Sequence, residues 1–85
     1  MRWWRFSTLD AEREFLDFVA ALFGVDPAAL SLDTAYGSLP EWDSVMQLRL
    51  VMEFEARYGV AIALEEVPEM TTLGKFFAKI GKGGA

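Results

Sequence analysis

One serine in this chain stands where a hydroxyl can serve as an attachment point. Ser44 follows Asp43 and opens a run with helical periodicity, after a long connection rich in turn residues. A hydroxyl at a helix mouth can be exposed while the scaffold beneath it stays rigid. A phosphodiester on that oxygen would meet the backbone N–H groups and the helix dipole, which favour an anion. Asp43 can cap the helix, or help ligate the Mg²⁺ that a phosphoryl-transferring enzyme brings. A plainer reading stands beside this one: Ser44 and Gln47 have the spacing of a capping box, and caps are common. The two roles are compatible, because Asp43 can cap while Ser44 is modified. Little other chemistry is on offer. The chain has no cysteine and no histidine. Disulfides and thiolate zinc sites are excluded, and the commonest general base and metal ligand are missing. A carboxylate pair would need a cleft that so small a domain rarely has, so no catalytic residue and no metal site are expected.

The elements that position Ser44 must come from a single core, since 85 residues leave no room for a second. With 53% hydrophobic and 25% charged residues the chain should fold. Its net charge of −5 is unevenly spread. Residues 26–69 hold nine acids against two arginines, while the last sixteen residues hold three lysines and no acid. An acidic middle repels phosphates and argues against nucleic acid, but attracts a basic partner surface. No stretch approaches the roughly 20 apolar residues of a membrane span, and no signal-peptide run follows the N-terminus. A cytoplasmic location is expected.

Three segments have helical periodicity. The first, about 10–23, places Phe15, Leu16, Phe18, Val19, Leu22 and Phe23 on one side and stops at Gly24. Residues 25–42 form a long connection with Asp26-Pro27, Gly37 and Pro40, of a length that is often functional. The second helix, about 44–58, has an apolar arc of Val45, Leu48, Leu50, Val51, Met52, Phe54 and Tyr58 that covers more than half its circumference. It is therefore expected to be central. The narrow remaining face holds Met46, Arg49, Glu53, Ala56 and Arg57, with Arg49, Glu53 and Arg57 spaced as a ladder of ion pairs. Glu55 falls inside the apolar arc without an evident role. A brief alternation at Val60, Ile62 and Leu64 has no second strand to pair with. A short helical turn is expected near 65–67, and a last helix from Thr71 or Thr72 to about Ile80. The fold class is all-α: three main helices plus a short third one, in a bundle with a long first loop.

From Glu41 to Ile80 the chain resembles the acyl carrier protein family, the phosphopantetheine-binding domains. Asp43-Ser44-Val45 is similar to the family's Asp-Ser-Leu triplet. Leu48-x-Leu50-Val51-Met52-x-Phe54-Glu55-x-x-Tyr58-Gly59-Val60-x-Ile62 follows in the family's register, and Met70-Thr71-Thr72-Leu73-Gly74 resembles the opening of its last helix. With the first helix as amphipathic partner, the resemblance covers about residues 10–80. It implies a four-helix bundle and a non-catalytic carrier. Ser44 would accept 4′-phosphopantetheine from coenzyme A through a phosphopantetheinyl transferase, and the terminal thiol would hold cargo as a thioester.

The resemblance also orders the remaining expectations. Residues 1–9 form an N-terminal tail, 10–80 the carrier domain and 81–85 a flexible C-terminal tail. The partner-contact residues are Trp42, Val45, Met46, Arg49 and Glu53, although Trp42 can instead plug the loop against the core. Val45 stands for the family's leucine at a position expected to be buried. The second helix lacks the family's usual row of exposed acids. This implies dedicated partners (a loading ligase for acyl or aminoacyl groups and a downstream transferase or synthase), in specialised metabolism rather than core fatty acid synthesis. The Trp-Asp-Ser triplet is similar to stand-alone carriers of that kind. Carriers that sequester long acyl chains do so between the helices. The bulky aromatics Phe15, Phe18, Phe23, Phe54, Phe76 and Phe77 leave little space there, so short or polar cargo is expected. A monomer is expected. The alternative is an unmodified carrier-like module that binds a partner through its second helix. Trp3, Trp4 and Phe6, with Arg2 and Arg5, can cover the apolar end of the bundle or touch a membrane or partner.

Overall fold

The computed structural model describes residues 8–83. The expectations for the Trp- and Arg-rich N-terminus fall on residues outside the described ones. Among the described residues, three α-helices and two 3-10 segments make up the regular structure. Helix α1 spans Thr8–Phe23, α2 Ser44–Tyr58 and α3 Leu73–Gly83. The 3-10 segments are Pro27–Ala29 and Leu64–Glu69. The latter is the expected short third helix, and it carries Pro68 inside it. Among the described residues there is no strand, only an isolated antiparallel bridge between Ala35 and Thr72. The architecture is the expected all-α bundle. Helix α1 begins two residues before the expected Asp10, and α3 runs past Ile80 into the segment assigned to the C-terminal tail.

Helix α1 buries Phe15, Val19, Ala20 and Phe23, a stripe at helical spacing. Its end is closed by Gly24, at φ 76°. The N–H groups of Gly24 and Val25 both donate to the Ala20 carbonyl, at 2.8 and 3.0 Å. A left-handed residue there is what lets two donors reach one carbonyl. Asp26 then accepts from the Ala28 N–H at 2.9 Å and starts the Pro27–Ala29 turn.

The long connection is stitched to the start of α3. The Tyr36 N–H donates to the Thr71 carbonyl, Leu73 N–H to Thr34 and Gly74 N–H to Leu32, at 2.8, 3.1 and 2.8 Å. Gly74 fits because a Cβ there would stand 3.0 Å from the Leu32 carbonyl oxygen. The connection is thus ordered by backbone pairing as well as by Leu30 and Trp42, which are buried in the core.

Helix α2 buries only Gln47, Leu50, Val51 and Phe54. Val45, Leu48 and Met52 are exposed, at 75%, 54% and 67%. The apolar arc was expected to be wide and buried, and it is not. Apolar residues also occur on surfaces, so composition alone overestimates a buried face. Val45, expected at a buried position, points to solvent. Met46, assigned to the open face, is half-buried and packs against the core. The ladder of Arg49, Glu53 and Arg57 makes no ion pair among the described residues. Instead the Arg57 guanidinium lies over the Phe18 and Tyr58 rings, at 5.3 and 5.6 Å. Aromatic rings form the centre: Phe54 meets Phe15 at 6.0 Å, Tyr58 at 5.0 Å and Phe76 at 5.4 Å. Of the expected aromatic stripe, Phe18 and Phe77 are only partly buried.

Candidate functional site

The chain between the loop and α2 turns at Asp43. Its backbone is extended, and its Oδ1 accepts from the Met46 N–H at 2.9 Å. This is an N-cap, so Ser44 is the first helical residue. The capping-box spacing of Ser44 and Gln47 does not operate, because the cap lies one residue earlier. Ser44 is exposed, and among the described residues its hydroxyl makes no hydrogen bond. The first-turn N–H groups and the helix dipole lie behind it. Its oxygen is therefore free to bear a substituent, and Asp43 keeps one carboxylate oxygen beyond its cap.

Beside Ser44 lies an open groove of about 410 Å³. Ser44, Gln47 and Leu48 of α2 line one side. Val67, Pro68, Met70 and Thr71 line the other, and Tyr36 reaches in from the loop. The surface is largely apolar, so the groove suits a slender chain attached at Ser44.

Gln47 was seen in the sequence only as a capping partner. It is 8% exposed, and its amide ties the region together. Its Nε2 donates to the carbonyls of Val67 and Met70, at 3.0 and 3.1 Å. Its Oε1 accepts from the indole Nε1 of Trp42 at 2.7 Å. Trp42 is wholly buried against Phe23 and Tyr36, with ring centres 5.6 and 5.9 Å away. It therefore plugs the loop against the core and offers no surface to a partner, which corrects its place among the contact residues. Glu55 also gains a role: its Oε2 accepts from the Ile62 N–H at 2.8 Å and fastens the turn after α2. Arg49 and Glu53 are exposed, as expected. Together with Val45, Leu48 and Met52 they give α2 a face that is largely apolar.

On the far side of the 3-10 segment, Glu66 pairs with Lys79 of α3 at 2.7 Å. The Lys79 hydrogen bond, helped by the Ala63 N–H, holds the Glu66 carboxyl below its usual range. Among the described residues no cluster of carboxylates is arranged to hold a metal ion, and no helix is long and apolar enough to cross a membrane.

The family model for the phosphopantetheine attachment site matches residues 13–80. The chain belongs to that family. Among curated proteins, none matches it. As a member of the phosphopantetheine-attachment family it is a carrier, and its cofactor is covalently bound 4′-phosphopantetheine. Carrier domains of this family are generally non-catalytic, and their role implies contact with a phosphopantetheinyl transferase and with synthetic enzymes. The residues present fit the group: an exposed hydroxyl with no competing hydrogen bond at a helix N-terminus, next to an apolar groove.

Proposed function

We propose that this chain is a carrier that holds an acyl or aminoacyl group as a thioester on phosphopantetheine attached to Ser44, and delivers it to partner enzymes. The observation that carries this reading is the free, exposed Ser44 hydroxyl at the capped mouth of α2. In the attachment step the Ser44 oxygen forms a bond to the pantetheine-side phosphorus of coenzyme A. The pyrophosphate P–O bond breaks, adenosine 3′,5′-bisphosphate leaves, and the hydroxyl proton passes to a base of the transferase. Asp43, beyond its cap, contributes negative charge beside the Mg²⁺ that the transferase brings.

The apolar face of Val45, Leu48 and Met52, flanked by Arg49 and Glu53, supports dedicated partners over those that read an acidic helix. Loading by a ligase, use by a downstream transferase or synthase, and a place in cytoplasmic specialised metabolism follow from that reading, as does a monomer that leaves α2 accessible. Incubation with coenzyme A, Mg²⁺ and a broad-specificity phosphopantetheinyl transferase tests the attachment. The expected result is one added phosphopantetheine by intact mass, and none on Ser44→Ala. A folded chain that gains no mass while a control carrier does would overturn the proposal in favour of an unmodified interaction module.

A further inference from the structure

We infer that Gln47 and Trp42 form a polar bar that closes the inner wall of the groove and keeps the cargo out of the helical core. The inference rests on attachment at Ser44 and assigns the cargo class: short or polar acyl groups that lie in the groove or outside it. Three of the groove's lining residues, Gln47, Val67 and Met70, are the ones joined by the Gln47 amide. The bonds therefore tie α2 to the Leu64–Glu69 segment and its end at Met70, the two elements that line the groove from opposite sides. Both Nε2 protons of Gln47 are used, and its Oε1 is held by Trp42, which cannot move without disturbing Phe23 and Tyr36.

An alkyl chain passing inward must part these two elements. It would strip hydrogen bonds from a buried amide, an indole N–H and two carbonyls, and it has no polar group to replace them. Saturated aliphatic cargo longer than the groove thus gains nothing by entering. A short or polar cargo has no need to.

The test uses acyl-coenzyme A as donor, so that the transferase attaches acetyl-, hexanoyl- or decanoyl-phosphopantetheine intact. In the wild type the decanoyl form should leave the Trp42 indole and Leu50 methyl resonances where the acetyl form has them, and both should melt at the same temperature. In Trp42→Phe/Gln47→Leu, which removes the amide and the indole N–H together, decanoyl loading should shift the Leu50 methyls and raise the melting temperature by on the order of 5 °C over acetyl loading. Gln47→Leu alone, with the Trp42 ring kept, should give the same shift at smaller amplitude and serves if the double variant does not fold. Core shifts in the wild type on decanoyl loading would overturn the inference. So would folded variants that exclude decanoyl as the wild type does. Failure of the chain to take up any phosphopantetheine is a different result, and defeats the attachment reading itself.

Discussion

At the scale of single residues, Asp43 has two separable duties. As N-cap it satisfies the Met46 N–H, and removing such a cap costs about 1 kcal/mol. Asn caps as well as Asp but carries no charge. Asp43→Asn should therefore keep the melting temperature while slowing phosphopantetheine transfer, whereas Asp43→Ala should lose on both counts. Equal transfer rates for the wild type and Asp43→Asn would leave Asp43 as a cap alone. Glu55 is a second case. Its carboxylate accepts from the part-buried Ile62 N–H, and hydrogen bonds to charged groups contribute about 1.5–3 kcal/mol. Glu55→Ala should lower stability to chemical denaturation by about 2 kcal/mol, with transfer to Ser44 unaffected. Asp43 was legible in the sequence because an N-cap is a local signal, read from neighbouring residues. Glu55 and Gln47 were not. Their partners lie 7 and 20–23 residues away, and no periodicity reports a bond across that separation.

At the scale of elements, α1 and the C-terminal ends of α1 and α2 could be read from spacing and from Gly24 and Gly59, the latter at φ 67° directly after Tyr58. The surface of α2 could not. Val45, Leu48 and Met52 are apolar yet exposed, and hydrophobicity alone does not say which apolar residues a small core has room for. Nor did the sequence reveal that the long loop pairs with the start of α3. That contact makes Gly74 a test. Alanine in a helix gains about 1 kcal/mol over glycine, but its Cβ would stand 3.0 Å from a backbone oxygen already held by the Gly74 N–H. Overpacking against such an atom costs about 1–3 kcal/mol. The clash should win narrowly, so Gly74→Ala should lower stability, measured by denaturant titration, rather than raise it. The Glu66–Lys79 pair gives a pH test. The folded-state pKa of Glu66 lies below its ordinary value of 4.5. The pair's contribution is therefore fully present above that value and is lost as pH falls through the lower folded pKa. Lys79→Ala should be less stable than the wild type at neutral pH, and the two unfolding curves should converge in acid. A gap that persists in acid would show that Lys79 acts through packing instead.

For the molecule as a whole, the question is what its partners read. The chain is acidic overall, at −5, yet the face beside Ser44 is not where that charge is displayed. Val45, Leu48 and Met52 recur at i, i+3 and i+7, on one side of α2. Their exposure contributes nothing to the fold, so substitutions there separate recognition from stability. Both Val45→Glu and Met52→Glu put a good helix former in place, and the new acid at residue 45 sits in the first turn, where the dipole favours it. Their melting temperatures should match or slightly exceed the wild type. If partners dock on apolar contacts, burying a carboxylate in that interface should raise KM for the transferase by about tenfold per site, equivalent to roughly 1.4 kcal/mol, with kcat nearly unchanged. If partners read charge, the same substitutions rebuild an acidic helix and KM should fall. Steady-state kinetics on these two variants thus decide whether the departure from an acidic face selects the partners or merely tolerates them, and a fall in KM would remove the case for a dedicated, apolar-reading partner set.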